Sequence, residues 1–381
     1  MHILIAPNAF KNSLDAAKVA EAISNGLHKR KLSFTTTCFP VADGGDGTAG
    51  LLIDHLGGQL ISTIVKDPLK RKISSFFGWI EKNKTAIIEL AAASGLRLLK
   101  TDEYNPLITT TQGTGELIIE ALNKNATKII LCIGGSATVD GGTGILNALG
   151  IKFFDAERNE LVDLPASLSS LAQIDITGLD KRIANTEIII LCDVENPLLG
   201  PNGAAAVFGP QKGASAKDVQ LLEAGLTKFR DVVFSRTGKD MAVIKHGGAA
   251  GGVAASLHTF LNARLVNGID YFLEATGFEK ELRKADLVIT GEGSIDEQTM
   301  QGKGPFGVAK RAKEFSLPVI AFAGHVSITP DQSSQQYFDR LISINENTDD
   351  LQAAMKNTYM NLEKTAQRLG DLLVNDHRRS L

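Results

Sequence analysis

The feature that most constrains the fold of this chain is a repeated pair: a short apolar run followed at once by a glycine-rich loop. The chain has 37 glycines but only 6% aromatic residues, so glycine marks places where the backbone turns tightly or approaches a ligand. Helix-like segments follow several of these loops. Strands that alternate with helices predict an α/β protein with largely parallel sheets, whose ligands gather at the carboxyl ends of the strands. The clearest such runs are "KIILCI" (128–133), "EIIILC" (187–192), "DLVIT" (286–290) and "PVIAFA" (318–323).

The first 58 residues follow this alternation, and residues 59–90 depart from it. "ILIA" (3–6) predicts a buried strand, and Ser13 is placed to cap a helix whose apolar stripe runs to Leu27. A second helix is predicted over 48–56. From 59 to 90, three strand-like runs follow with no long helix between them, which predicts an antiparallel portion and a domain crossing near residues 66–72. Two domains with facing loop edges would form a ligand cleft.

Charge and composition exclude several classes of protein. The chain carries 40 Lys+Arg against 43 Asp+Glu, so its net charge of −3 provides no basic surface for nucleic acid or an anionic membrane. No apolar run reaches the ~18 residues of a membrane helix, and the first residues do not resemble a signal peptide. Cys38, Cys132 and Cys192 are far apart and lie in or beside apolar runs. We expect reduced core thiols in a cytoplasmic protein.

A perfect G-x-G-x-x-G, formed by Gly45, Gly47 and Gly50, raises the possibility of a dinucleotide site. However, Asp43 and Asp46 stand in or beside the glycine turn, where carboxylates would repel a pyrophosphate. They are better explained if Mg²⁺ bridges them to phosphate, or if they hold substrate hydroxyls. Two simpler interpretations stay open: the aspartates cap the turn and helix, or the chain is a dinucleotide-dependent oxidoreductase.

Acidic residues recur beside the other glycine loops. Asp140 lies in "GGSATVDGG", Asp193 directly follows a buried strand, and "TGEGSIDEQTMQGKG" supplies Glu292, Asp296 and Lys303. Acidic groups for a metal or a proton, lysines for phosphate charge and glycine amides are the parts that phosphoryl transfer requires. Walker A and the protein-kinase signatures are absent from the sequence, which therefore predicts a phosphotransferase of another class.

These stretches resemble the bacterial glycerate kinases of the glycerate kinase type-1 family. The resemblance implies ATP-dependent phosphorylation of D-glycerate, with the 2-hydroxyl as the usual acceptor. It also implies a discontinuous Rossmann-like α/β domain, 1–68 and 285–381, with a second α/β domain, 69–284, inserted. The first motif departs from the family pattern, because Asn8 replaces an acid and Asn12 a glycine. Eight stretches carry the resemblance in family order: "APNAFKNSLDA", "PVADGGDGT", "IELAAASGL", "TTTQGTGELI", "IGGSATVDGGTG", "DVENPLLGPNGAAAVFGPQKGA", "GGAAGGVAA" and "DLVITGEGSIDEQTMQGKGPFGVA".

We assign roles on this basis as predictions. Asp193 is the preferred general base, because it leaves a buried strand directly into a loop. Asp296, with Glu292, is the second candidate for the base, and Asp193, Glu292 and Asp296 are the candidate Mg²⁺ ligands. Lys11, with Ser13, is predicted to contact the glycerate carboxylate or the transferred phosphoryl group. The predicted substrate-binding residues also include Asp43, Gly44, Gly45 and Asp46, and the predicted nucleotide- or phosphate-binding residues are Gly134, Gly135, Ser136, Thr138, Lys212, Gly291 and Lys303.

Other interpretations are kept beside this one. A non-catalytic sugar-acid sensor is a second alternative, although no basic DNA-reading segment is visible. His246 and His325 border glycines and are interpreted as polar surface groups, and Glu89 either acts in catalysis or satisfies a backbone turn. The expected partners are ATP with Mg²⁺ and the small-molecule substrate D-glycerate, with no nucleic acid and no membrane, and the sequence allows a homo-oligomer.

Overall fold

The computed structural model describes residues 1–29, 34–296, 302–327, 336–345 and 350–379. No helix in these ranges is both long enough and apolar enough to span a membrane. The strands are β1 (His2–Ile5), β2 (Thr35–Cys38), β3 (Gln59–Lys66), β4 (Lys72–Ile80), β5 (Thr85–Glu89), β6 (Lys128–Cys132), β7 (Lys152–Phe154), β8 (Gln173–Asp175), β9 (Glu187–Cys192), β10 (Arg264–Asn267), β11 (Leu287–Ile295), β12 (Val319–Val326) and β13 (Arg340–Ser343).

The α-helices range from one turn to six turns in length. The longest two have 22 residues each. The helices are α1 (Ala16–His28), α2 (Thr48–Leu56), α3 (Ala91–Ser94), α4 (Gln112–Asn123), α5 (Thr143–Ala148), α6 (Ala204–Phe208), α7 (Ala216–Thr237), α8 (Ala249–Leu261), α9 (Gly268–Thr276), α10 (Phe278–Leu282), α11 (Gly304–Glu314), α12 (Leu351–Lys356) and α13 (Thr358–Arg379).

One sheet has the strand order β13-β12-β11-β1-β2, and all its neighbours are parallel. Its interior strand β1 is covered on both faces, which explains why its residues 3–5 form an unbroken apolar run with no exposed surface. The apolar face of α1 packs against this sheet through Val19, Ile23 and Leu27.

A second sheet has the order β10-β9-β6-β5-β4-β3. Its β5, β6, β9 and β10 run parallel, whereas β3, β4 and β5 pair antiparallel. The antiparallel portion lies where the sequence predicted it. The predicted fold class, α/β with largely parallel sheets, is therefore confirmed.

The chain divides into two compact units. The first comprises residues 1–43 and 269–381, and the second residues 44–268. These limits differ from the sequence-based limits of 68/69 and 284/285. Residues 44–68 group with the second unit because β3 pairs along its whole length with β4. Helices α9 and α10 fall in the first unit. The discontinuous domain organisation itself stays a prediction.

Several local predictions were wrong. Asp15, not Ser13, caps α1, because its carboxylate accepts a hydrogen bond from the Lys18 amide. β11 continues through "GEGSI", since the neighbouring strand β12 is also extended and pairs with it up to Ile295. The predicted final helix (348–372) is two helices that meet at Asn357, and its residues 348–349 lie outside the described ranges.

The cysteine prediction is correct in part. All three thiols are free, and Cys132 and Cys192 are buried. Cys38 is exposed rather than in the core, because β2 is the edge strand of its sheet.

Candidate active site

Three of the candidate positions lie at the carboxyl ends of adjacent parallel strands in the second unit. Glu89 ends β5 and pairs with Cys132 of β6, which is followed by Gly134. Cys132 in turn pairs with Leu191 of β9, so Gly134 and Asp193 each lie two residues beyond a paired position. Because neighbouring strands are only about 4.8 Å apart, this register brings Glu89, the glycine loop 134–142 and Asp193 to one edge.

The glycine loop 134–142 packs backbone to backbone against residues 44–46. The Gly134 amide donates a 3.2 Å hydrogen bond to the Gly44 carbonyl. A Cβ on Gly134 would lie 2.6 Å from the Gly45 Cα, and one on Gly135 would overlap the Asp46 carboxylate. The predicted residues Gly44, Gly45, Asp46, Gly134 and Gly135 are thus brought together. These two loops can approach so closely only because position 134 and position 135 are glycine.

The carboxylate of Glu89, the last residue of β5, lies at the amino terminus of α2. Its carboxylate accepts a 3.1 Å hydrogen bond from the Gly47 amide and pairs with Arg97, also at 3.1 Å. Burial raises the pKa of Glu89, the Arg97 charge opposes this rise, and the Asp46 charge adds to it. A pyrophosphate bound by the G-x-G-x-x-G motif would need the amides that Glu89 already engages. The structure therefore argues against the dinucleotide interpretation.

Lys212 is an internal cation of the second unit, with only 3% of its surface exposed. Its ammonium donates 2.7 Å hydrogen bonds to Ser136 Oγ and to the Thr138 carbonyl. Burial lowers the pKa of Lys212 to about 7, and the nearby Asp140 charge counteracts this effect. Lys212 holds the glycine loop from within, and its predicted direct contact with a γ-phosphate stays a prediction.

Asp140 is wholly buried and accepts hydrogen bonds from four groups. These are the Thr111 amide and hydroxyl and the amides of Gly142 and Gly144, at 2.7–3.3 Å. Burial raises the pKa of Asp140 and these hydrogen bonds oppose the rise. Asp140 therefore joins the start of α4 to the start of α5. Thr138 is also buried, and its hydroxyl has no hydrogen-bond partner within the described ranges.

The lowered pKa of Lys212 predicts how the free energy of unfolding depends on pH. In the unfolded chain this lysine has a pKa near 10.4, so between about pH 7 and pH 10 the unfolded state binds more protons than the folded state. The folded state is therefore penalised below pH 7 and becomes more stable as pH rises through this window. As the pH rises through this window, the free energy of unfolding of the wild type should increase by up to about 3–5 kcal/mol relative to that of Lys212→Met. Urea denaturation of both proteins at several pH values measures this, and a constant difference would show that Lys212 is not perturbed.

Asp193 lies half-buried at the start of the loop that follows β9. His246 contacts this loop: its Nδ1 lies 2.7 Å from the Val194 carbonyl, which can only accept, so Nδ1 is the donor. Lys245 pairs with Glu195 at 2.6 Å, and the Gly248 amide donates to the Asn196 carbonyl. His246 has a φ of +66°, a conformation that costs a non-glycine residue energy. It is therefore built into the Asp193 loop and is more than a surface group.

In the first unit, Asp43 and Asn8 form a buried pair. Asn8 Nδ2 donates a 2.9 Å hydrogen bond to Asp43 Oδ2, which also accepts from the Gly304 amide at 3.3 Å. Gly304 begins α11, so the carboxylate lies at the positive end of a helix. Lys303 occupies the N-cap position of this helix. The amide of Asn8 suits this position, because an ionised acid there would repel Asp43.

The remaining predicted residues of the first unit lie in or just after β11 and in the turn after β1. Glu292 is buried within β11, and Asp296 follows the end of that strand. Gly291 also lies within β11, where the missing Cβ allows close approach of the Phe322 carbonyl. Lys11 is exposed in the turn after β1, and Ser13 donates its hydroxyl proton to Met355 or Thr358. Residues 297–301 of the predicted motif lie outside the described ranges.

Where the structure describes the chain, no group of three or more His, Cys, Asp or Glu side chains could hold a metal ion. The structure thus provides no complete protein-only metal site among these residues.

Comparison with known proteins defines the class to which this fold and site belong. The model of the glycerate kinase family matches residues 3–374. The chain belongs to the glycerate kinase family. It is 46% identical over 367 residues to a protein from Bacillus subtilis (strain 168) named glycerate kinase, with 96% of each chain covered. It is 41% identical over 373 residues to the glycerate 2-kinase of Escherichia coli (strain K12), with 98% of each chain covered.

A solved structure shows the same fold. This crystal structure, from Salmonella typhimurium LT2, is provisionally described as glycerate kinase 2. It superimposes with a TM-score of 0.84 at 40% sequence identity, and the match covers 99% of both chains. The family resemblance predicted from the sequence is confirmed.

Proposed function

We propose that this protein transfers the γ-phosphoryl group of ATP to D-glycerate. The observation that supports it most directly is the register of β5, β6 and β9, which places the glycine loop 134–142 and Asp193 at one sheet edge. Glycine-loop amides suit phosphate, and a carboxylate beside them suits a hydroxyl that must lose its proton. The names of the relatives from Bacillus subtilis and Escherichia coli support the substrate.

In this proposal Asp193 is the general base. The glycerate hydroxyl oxygen forms a bond to the γ-phosphorus, the bond from that phosphorus to the bridging oxygen of ADP breaks, and the hydroxyl proton passes to Asp193. The loops at 44–46 and 134–136 would hold polar groups of the substrates. Asp296 with Glu292 is the second candidate for the base.

Mg²⁺ is proposed to enter with the nucleotide. Glu292 and Asp296 are the residues proposed to hold it, and Asp193 is the alternative ligand if it does not act as the base. When bound, the ion would neutralise charge on the phosphates. We also propose the 2-hydroxyl of D-glycerate as the acceptor, in keeping with the name of the Escherichia coli relative. A cytoplasmic location and homo-oligomer formation stay predictions.

A coupled assay of ADP formation tests the proposed function. ADP should form with ATP, MgCl₂ and D-glycerate together, and should fall to background when D-glycerate is omitted. Reduction of NAD or NADP by D-glycerate without ATP use would support the oxidoreductase alternative. Binding of D-glycerate without turnover of either kind would support the sensor alternative.

A further inference from the structure

Within the described ranges, the hydroxyl of Ser136 has one hydrogen-bonding partner, and the residue keeps a small exposed fraction. Ser136 Oγ lies 2.7 Å from Lys212 Nζ, and 8% of the residue is exposed. Across the described ranges, Lys212 is the only hydrogen-bonding partner recorded for this hydroxyl. The next residue in the loop is also held in place, since the Ala137 carbonyl accepts a hydrogen bond from Thr109 Oγ1 at 2.9 Å.

The chemistry of this pair fixes the direction of the hydrogen bond. In its ammonium form, which the nearby Asp140 charge favours, Lys212 has three donors and no acceptor, so Ser136 Oγ accepts from it. The Ser136 proton is then left to donate elsewhere. A donor whose oxygen already accepts from a cation is polarised, and it prefers an anionic acceptor.

Lys212 itself is in no position to meet a ligand. It is 3% exposed, and its other hydrogen bond goes to the Thr138 carbonyl. The positive charge of this buried side chain therefore reaches the loop surface only through Ser136. The surrounding loop is glycine-rich, and its own residues between Gly134 and Val139 carry no side-chain carboxylate. The Asp46 carboxylate lies beside Gly135.

We propose that Lys212 is a positioning residue that directs the Ser136 hydroxyl to donate a hydrogen bond to a phosphoryl oxygen of ATP. This inference rests on the proposed function, because it takes the nucleotide as the ligand of the glycine loop. It replaces a direct contact between Lys212 and phosphate with a contact through Ser136. The glycerate carboxylate is the other anion available, and the test below separates the two.

The first variant is Ser136→Ala, which removes the donor and leaves the bond from Lys212 to the Thr138 carbonyl. We expect kcat/KM for ATP to fall about 10- to 100-fold, the range for a hydrogen bond to a charged group. KM for D-glycerate should change less than twofold. Calorimetric titration with the non-hydrolysable analogue AMP-PNP should show the weakened nucleotide affinity without turnover.

Lys212→Met, alone and combined with Ser136→Ala, tests whether Lys212 positions the Ser136 hydroxyl or only stabilises the fold. If Lys212 acts through Ser136, Lys212→Met should weaken AMP-PNP binding, and adding it to Ser136→Ala should produce little further loss. If the two substitutions acted independently, the fold losses in AMP-PNP affinity of the single variants would instead multiply in the double variant. Thr109→Val is the matched control: it removes another buried hydrogen bond to the same loop, and should lower stability while leaving AMP-PNP affinity within about twofold.

Several outcomes would overturn the inference. These are wild-type kcat/KM for ATP in Ser136→Ala, a loss confined to KM for D-glycerate, or a phosphate found covalently on Ser136 after incubation with ATP. If Lys212→Met does not fold, Ser136→Ala and its calorimetry still decide the matter. Failure of the proposed function would be distinct, because the wild type would then show no ATP-dependent phosphorylation of D-glycerate.

Discussion

Asp193→Asn is expected to lower kcat by about 10²–10⁴-fold, the usual contribution of a general base. A glycerate hydroxyl is a poor nucleophile at neutral pH and must lose its proton as the phosphoryl group arrives. Asparagine keeps the shape of aspartate and one acceptor oxygen but removes the charge and the basicity. KM for ATP and the Mg²⁺ concentration for half-maximal rate should change little if Asp193 is the base. Steady-state kinetics at varied ATP and Mg²⁺ measure all three quantities.

The loop provides a matched control for this variant. Glu195 lies two residues further on, is exposed, and pairs with Lys245 at 2.6 Å. Glu195→Gln removes the same charge from the same loop and should leave kcat within about twofold, since exposed ion pairs contribute little. A marked rise in the Mg²⁺ requirement of Asp193→Asn would instead identify a metal ligand. Wild-type kinetics in that variant would exclude both roles and make Asp296 the leading candidate.

Asp140→Ala is expected to cause the largest loss of stability, about 3–5 kcal/mol in the free energy of unfolding. The substitution leaves the Thr111, Gly142 and Gly144 donors without their buried acceptor. It also removes the negative charge that favours the ammonium form of the buried Lys212. Urea denaturation at pH 7 followed by circular dichroism measures the change.

Asp155→Ala is the control for Asp140→Ala. The Asp155 carboxylate also accepts two hydrogen bonds, from the amide and the side chain of Asn159, but at an exposed turn. Water can replace those bonds, so the expected loss is about 1 kcal/mol or less. Equal losses in the two variants would show that burial of Asp140 does not carry the effect.

Most of the fold could be predicted because its elements have strong local signals. The left-handed Gly57 ends α2 where the sequence predicted, and the buried runs of β6 and β9 occupy the expected positions. The prediction failed where a neighbour in space decides the outcome. "GEGSI" extends β11 because β12 lies beside it, and Cys38 is exposed because β2 happens to be an edge strand.

In the candidate site, too, local features could be predicted from the sequence, whereas contacts between distant residues could not. A lysine between glycines in "GPQKGA" is compatible with a phosphate contact. Nothing local shows that Lys212 is buried and bonded to Ser136 and Thr138, which lie 76 and 74 positions earlier in the chain. Glu89 likewise caps a helix that begins 41 positions earlier, at Thr48. For His246 a signal was present, since it directly precedes "GGAAGG" in a loop that must pack closely on another. Its bond to the Val194 carbonyl depends on tertiary structure.

Phosphorus NMR of the reaction mixture tests the central claim most directly. Wild-type protein with ATP, MgCl₂ and D-glycerate should produce ADP and a new phosphate monoester in equal amounts. The monoester signal should be a doublet, because phosphorus on the 2-oxygen couples to the single proton of that carbon. A triplet would place the phosphate on the 3-hydroxyl and contradict the proposed acceptor. A spectrum that retains only ATP, from protein shown to be folded by circular dichroism, would contradict the proposed phosphotransfer altogether.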